Sequence, residues 1–529
     1  MEKLCKITIL PAEKTFEAYE GDSLYTLLLV EGFIDPEKPG CDRLRLEKGS
    51  VSPARDPEAE KAVFTRTELE EDWLLVEEHT VTGDAVFSLA SDEVFSGSHQ
   101  TPVARGYGLV VDMGTGNICA GLVDLYDKNI PRITNIRNSQ ADVAEDASAR
   151  LAYCRAGSEN LSRLSNMLKA DIDTVIQKLC LKSGVDKRKI HALALAGNYP
   201  LTAIFLEQLP PMGWPPFGQV LRRDARQLGL SALWPDVPAY ILPAASPALG
   251  ADTISSILAA NMMGRKDDED ITILIDIGMR GELIAAGRGR LLATSVPALP
   301  FEGAGLSCGM SAHTGAITGV RLDDRVVLRT VRDSRPKGIC GAGMISLVYA
   351  LLRNGMLDSE GRLLKNDDLP EELASRYRGT MSGREFVLSY GDKYFPRDIC
   401  INQDDIHQVQ LAKGAIYAAC KAMLVAMDAD ESDIREIMLA EASSTNIRTD
   451  EALAIGLLPD IDPSRIIGIG NAAWQGAYLA LTNRANLDIA TRAAQLLESL
   501  DLTSDLVYAE EFLEAMNFDT DREYEYHHL

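Results

Sequence analysis

Val110-Val111-Asp112-Met113-Gly114-Thr115-Gly116-Asn117 and Ile273-Leu274-Ile275-Asp276-Ile277-Gly278-Met279-Arg280-Gly281 decide how this chain folds. In each, an apolar β-run reaches an aspartate, and glycine follows two residues later. An aspartate ending a buried strand can hold a metal-bound water, and the N–H groups of a glycine turn can cradle phosphate oxygens. One such segment carries little information. Two in the same chain predict a duplicated fold that clamps a nucleotide between its halves.

Around these segments strands and helices alternate, which is the pattern of an α/β protein. Leu109–Val111 and Cys119–Val123 form a hairpin-like pair about the first glycine turn. Residues 161–180 carry helical periodicity, and Ile190–Ala196 reads as a buried strand ending at Gly197-Asn198. The pattern restarts at Ile271 with Ile273–Ile277, Glu282–Gly287 and Leu291–Val296. Helices are then expected to dominate, notably Ala342–Asn354 and Val409–Met427, before late strands at Ile437–Ala440 and Ile466–Asn471. A first lobe is expected over 106–262 and a second over 263–529.

Ahead of them, residues 1–93 read as a separate module, with 94–105 as a linker. Lys6–Leu10 and Thr15–Tyr19 form a hairpin, Gly21-Asp22-Ser23 starts a helix, and Trp73–Val76 and Ala85–Leu89 are further strands. That is a β-grasp order.

At 529 residues the chain needs more than one core. Its 53 basic and 78 acidic residues leave a net charge of −25, which argues against a nucleic-acid partner. Local N–H nests and a metal ion can still bind ATP against that field. No apolar run approaches the ~20 residues of a bilayer span, and Met1–Leu10 reads as a strand rather than a signal peptide. A cytoplasmic chain without a membrane partner is expected. The nine cysteines include no Cys-x-x-Cys pair, so neither a disulfide framework nor a zinc site is implied.

Taken with these motifs, the chain resembles the actin / sugar kinase / heat-shock ATPase superfamily, and more closely the reductive activators of corrinoid proteins. Tyr107–Thr115, Ala196-Gly197-Asn198, Gly250-Ala251-Asp252-Thr253, Pro300–Ala304 with Cys308-Gly309-Met310, Gly338–Gly343, Gln410–Tyr417, Ile455–Pro459 and Gly470-Asn471 carry the likeness in order. The resemblance implies an N-terminal ferredoxin-like β-grasp domain and a duplicated ribonuclease-H-like, two-lobed ATPase domain. It implies Mg-ATP as ligand, with Asp112 and Asp276 catalytic and Asp112 holding Mg²⁺ through water. Gly114, Thr115, Gly116, Gly278, Arg280, Gly341 and Gly343 would contact nucleotide, and Glu302 and Gly303 the cleft or a partner. A corrinoid protein or corrinoid methyltransferase is the implied partner, and a homodimer stays open.

The departures shape the functional expectation. A [2Fe-2S] ferredoxin needs four thiolates. Only Cys41 stands at a ligand position, and Glu47, Ser50 and the neighbourhood of Val76 take the others, so the cluster is expected to be absent. Met279-Arg280 replaces a hydroxyl-bearing pair, and Glu441-Ala442 replaces paired glycines beside the adenosine. Two functions remain open: an activator acting on or beside a corrinoid protein without its own cluster, or a non-catalytic scaffold descended from the ATPase. A cleft remade for another small molecule is a third. Asp112 and Asp276 have a plainer reading as turn caps, Gly341-Ala342-Gly343 as a tight helix entry, and Glu302 as a carboxylate pinning its loop.

Overall fold

The structure is a computed structural model. It describes residues 4–10, 14–24, 27–28, 43–53, 60, 69, 72–89, 106–125, 128–130, 132–209, 215–364, 369–380, 383–391, 393, 396–441 and 447–520. Two compact units are distinguished: Met1–Leu109 with Leu122–Arg132 and Cys180–Ala192, and Val110–Gly121 with Ile133–Leu179 and Leu193–Leu529.

The N-terminal sheet has five strands: β1 (Leu4–Leu10), β2 (Lys14–Tyr19), β3 (Arg43–Lys48), β4 (Trp73–Leu75) and β5 (Ala85–Leu89), ordered β2-β1-β5-β3-β4. β1 pairs antiparallel with β2 and parallel with β5, so the sheet is mixed. Alternation on β1 buries Cys5, Ile7 and Ile9, which pack with Leu24, Leu28 and Phe87. β3 lies in a stretch that sequence reading left as merely charged. Its Arg-Leu-Arg-Leu alternation is that of a strand with one wet face, and Leu44 is fully buried. Cys41 and the expected linker lie outside the described residues, apart from a few positions beside them.

The next sheet holds β6 (Tyr107–Met113), β7 (Asn117–Asp124), β8 (Arg132–Arg137), β9 (Ile190–Gly197), β10 (Leu221–Asp224) and β11 (Pro238–Ile241), ordered β10-β11-β9-β6-β7-β8. β6 and β7 are almost continuously buried, as strands covered on both faces must be. The helix Ser158–Ser183 buries Leu164, Leu168, Ile172, Val175, Ile176 and Leu179 at the expected spacing.

The third sheet repeats that layout. β12 (Ile271–Ile277), β13 (Arg280–Gly287) and β14 (Arg290–Pro297) form an antiparallel meander. β21 (Ile434–Glu441) and β22 (Ile466–Gly470) add in parallel beside β12, and β23 (Glu498–Ser499) closes the far edge. Its order is β22-β21-β12-β13-β14-β23. In both sheets the first strand lies near the middle, with the next two strands on one side of it and later strands on the other; in the earlier sheet β11 runs parallel to β9 and β10 antiparallel to β11.

The region between β14 and β21 carries the expected helices, Gly341–Arg353 and Gln403–Ala426, as its longest elements. It also builds two three-stranded sheets. One contains β15 (Ala316–Leu322), β16 (Val326–Thr330) and β17 (Gly338–Ile339); the other contains β18 (Tyr377–Thr380), β19 (Gly383–Ser389) and β20 (Ile399–Asn402). These strands are short and their faces only partly apolar, so periodicity over a helix-length window passes over them.

The helix Gln403–Ala426 is long and apolar enough to cross a membrane by composition, but 72% of that window is buried inside the fold. It lies at the centre of the largest core, with Ile406, Val409, Ile416 and Met423 fully buried. Lys413 is buried on the same helix. Its ammonium donates to the carbonyls of Ala515 and Asn517, the latter at 2.7 Å, and sits 4.8 Å from the centre of the Phe518 ring.

Candidate nucleotide site

Asp112 is the sixth residue of β6, and Asp276 holds the same place in β12. Both reach one cavity of about 360 Å³. The glycine turn after Asp112 lines it through Gly114, Thr115, Gly116 and Asn117, and the second turn through Gly278, Met279 and Arg280. Asp146 to Ser148, Asn198, Asp252, Glu282, Leu299, Glu302 and Asn471 complete most of the remaining wall.

The turn glycines differ in why they are glycine. A β-carbon at Gly114 would lie 2.4 Å from the Asn117 carbonyl oxygen, so no side chain fits there. At Gly116 it would meet open space. Thr115 is buried, and its hydroxyl accepts a hydrogen bond from Asn198 Nδ2 at 3.0 Å. Asn117 carries a buried Oδ1 without a hydrogen-bond partner. An orphaned acceptor in a cavity wall is the kind of atom a ligand or water satisfies.

Six carboxylates line this space, and four of them, Asp112, Asp252, Asp276 and Glu282, lie close enough to repel one another. Asp112 accepts from Asn471 Nδ2 at 3.0 Å, and Asp276 accepts from Ser256 Oγ at 3.3 Å. Glu282 stands directly opposite Asp276 across the β12–β13 pair and accepts from the Thr253 hydroxyl. Asp252 lies in the first turn of the helix Ala251–Ala259. Loss of hydration raises Asp112 to about 7 despite the Asn471 hydrogen bond, with Asp276 adding repulsion. Asp276 rises to about 6 and Asp252 to about 7, again chiefly by burial. Glu282 is pushed well above the usual carboxylate range by burial and then by Asp252, while Arg280 pulls it down. Charge is therefore stored here at a cost that a bound cation would relieve.

The four do not form a ligand cage for a bare ion: among the described residues no group of three or more His, Cys, Asp or Glu is arranged to hold a metal. Isolated carboxylates beside a phosphate cradle instead suit Mg²⁺, which keeps several of its waters and binds through one or two carboxylates plus phosphate oxygens.

Of the residues expected from sequence, Asp112, Asp276, Gly114, Thr115, Gly116, Gly278, Arg280 and Glu302 come together at this cavity. Gly341, Gly343 and Gly303 are not among its lining residues. A β-carbon at Gly341 would stand 1.7 Å from the Phe301 carbonyl oxygen, and one at Gly343 2.1 Å from that of Ile317. Both are packing glycines at the start of the helix Gly341–Arg353. Gly303 has φ +77°, the left-handed value that ends the short helical turn Leu299–Glu302. Sequence reading missed Asp252, Glu282 and Asn471 as site residues. The sign available for Glu282 was its position, six residues after Asp276 across a two-residue turn, which places it opposite that aspartate. Of the other positions expected in place of cluster ligands, Glu47 accepts from the Ser88 hydroxyl, Ser50 pairs with Thr82, and Val76 is fully buried.

The paired strand–aspartate–glycine turns and the mixed sheets define the class: an α/β protein with an actin-like ASKHA-type domain. A family model described as the C-terminal domain of RACo, the ASKHA domain, matches residues 270–529, and one for the RACo middle region matches 107–265. The chain belongs to the family of reductive activators of corrinoid proteins. It is 27% identical to the corrinoid activation enzyme RamQ of Eubacterium limosum, over 80% of this chain and 71% of that protein. It is 23% identical to the [Co(II) methylated amine-specific corrinoid protein] reductase of Methanosarcina barkeri, over 72% of this chain and 71% of that one. A solved reductive activator for a corrinoid, iron-sulfur protein superposes with a TM-score of 0.71 at 22% identity, covering 97% of this chain and 98% of its own.

Proposed function

We infer that the chain is an ATP-using activator of a corrinoid protein, with Mg-ATP held in the cavity between the two aspartate–glycine turns. The observation that carries this reading is the placement of Asp112 and Asp276 at matching positions of two central strands, facing one cavity. On this reading the two sheets of like strand order are duplicated ribonuclease-H-like lobes, and the N-terminal sheet is a ferredoxin-like β-grasp domain. Asp112 and Asp276 hold the waters of Mg²⁺, the Gly114–Gly116 turn and Gly278 take phosphate oxygens, and Arg280 supplies a cation. Once bound, Mg-ATP supplies a phosphoanhydride bond whose hydrolysis can drive a change of shape or the release of a partner.

The residues at the other three expected ligand positions do not suit a [2Fe-2S] cluster. Glu47, Ser50 and Val76 offer no thiolate, and each is engaged in hydrogen bonding or in the core. The reading therefore routes no electron through this chain; the electron for an oxidised corrinoid partner comes from an external reductant. RamQ and the methylamine-system reductase support a corrinoid protein, or a methyltransferase that uses one, as the partner class.

The test mixes the protein with an oxidised corrinoid protein and a chemical reductant and follows the corrinoid's visible spectrum. Reduction should be faster with Mg-ATP than without it. A rate indifferent to Mg-ATP, together with no thermal shift by Mg-ATP, would leave the scaffold reading in its place. Saturating nucleotide at a hundredfold over Kd should add ~2.7 kcal/mol of stability. Iron analysis of anaerobically purified protein tests the missing cluster separately; two irons per chain would overturn it.

A further inference from the structure

Three consecutive carbonyls of the Gly114-Thr115-Gly116 turn are taken by donors from one neighbouring segment. Asn138 Nδ2 donates to Gly114 O at 3.0 Å, and a guanidinium nitrogen of Arg150 to Thr115 O at 2.8 Å. The Asn138 backbone N–H donates to Gly116 O at 2.9 Å. In a planar trans peptide the next residue's N–H points opposite to the carbonyl. The N–H groups of Thr115, Gly116 and Asn117 are thus turned away from Asn138 and Arg150. Gly114 through Asn117 line the cavity, whereas Asn138 and Arg150 do not.

We propose that Asn138 and Arg150 are positioning residues that hold this turn as a three-N–H cradle for phosphate oxygens. The proposal rests on the nucleotide reading above and deepens it. Neither residue touches the ligand. Both act by occupying carbonyls that would otherwise repel an anion. Arg150 is fully buried, and its other acceptors are Gln140 Oε1 and the carbonyls of Ala144 and Glu145, all uncharged. Its charge stands behind the turn, with the Asp146 carboxylate of the same segment acting on it as the opposite charge. Burial lowers its pKa only to about 10, so that charge persists at neutral pH. Thr115 adds a fourth donor: its hydroxyl oxygen already accepts from Asn198, which leaves its proton for an acceptor in the cavity.

Asn138→Asp removes the donor to Gly114 O, read at a pH where the carboxyl is ionised. The carboxylate keeps the cap that Asn138 Oδ1 gives to the Gln140 N–H, but it cannot donate to Gly114 O and repels it instead. Calorimetric titration of the full chain with Mg-ATP, inorganic tripolyphosphate and adenosine is the measurement. Expected are a loss of about tenfold or more in affinity for both phosphate-bearing probes and unchanged adenosine binding. Because Asn138 is fully buried, the carboxylate should lower the melting temperature without ligand, and affinities are compared at a temperature where both proteins are folded. Should Asn138→Asp fail to fold, Arg150→Lys, which keeps the charge but loses the guanidinium fork, is expected to show the same selective loss. Parent-like binding of tripolyphosphate by either folded variant overturns the proposal, as does equal weakening for adenosine. Tripolyphosphate binding without ATP binding by the parent protein would remove the nucleotide reading and leave the cradle standing.

Discussion

The β6–β7 turn and the β12–β13 turn occupy the same place in two sheets of like order, yet they are held differently. The first spans three residues, and donors behind it, Asn138 and Arg150, take its carbonyls. The second spans two residues and closes on itself, with the Gly278 N–H donating to the Arg280 carbonyl at 3.1 Å. Its cation stands on the hairpin, and Arg280 Nε donates to Ser295 at 2.7 Å. One turn is shaped by its support and offers backbone dipoles; the other supports itself and offers a side-chain charge. Matching topology thus does not imply matching chemistry, and the two halves of this cavity make different contributions to binding an anion.

The largest expected effect is on turnover. Asp112→Ala removes a carboxylate from the centre of the cavity and should reduce Mg-ATP hydrolysis by about a hundredfold or more while the protein stays folded. Asp276→Ala should do the same if the two halves share the metal's waters, so a variant that keeps parent-like turnover would break the symmetry between them.

Next comes stability. Gly114→Ala forces a methyl against the Asn117 carbonyl and should cost roughly 2–3 kcal/mol in denaturant unfolding. Gly278→Ala meets only ordinary contact, 3.4 Å from the Arg280 oxygen, and should stay within about 0.5 kcal/mol. Equal costs would mean that the two turns are not built differently.

The pH dependence ranks third. Asp112 has a folded-state pKa of about 7, above its unfolded value near 4, so the folded protein holds that proton more tightly. The stability this gives is full below about pH 4 and is lost as pH rises to about 7. Asp112→Asn should therefore match the parent at pH 4 and exceed it by order 2 kcal/mol at pH 8 without ligand. A gap that does not widen with pH would show that this carboxylate is well solvated. The smallest expected effect is that of Arg280→Gln, whose exposed cation should be worth about 1 kcal/mol of Mg-ATP affinity, shrinking as salt is added.

The parts of the fold and site that could be read from the chain are those written in contiguous residues. β6, β12 and their aspartates were visible because strand, carboxylate and glycine are neighbours in sequence. The helices Ser158–Ser183 and Gln403–Ala426 showed their periodicity for the same reason. Asn471 joins Asp112 across 359 residues, and no local pattern announces such a pair. At Gly341 and Gly343 a glycine needed for close packing and a glycine needed for a ligand look alike in sequence; the Phe301 and Ile317 carbonyls show the packing need. Glu441, expected with Ala442 to crowd an adenosine, ends β21; its side chain and the whole of Ala442 lie outside the described residues.

The ammonium of Lys413 makes the segment from Ala515 to Phe518 part of the interior. Peeling that stretch away would leave Lys413, whose pKa burial already lowers to about 7, in the apolar core around the helix Gln403–Ala426 without the oxygens that now solvate it. Shortening the chain past this point is thus equivalent to a mutation at its centre, and tags or fusions belong beyond residue 520.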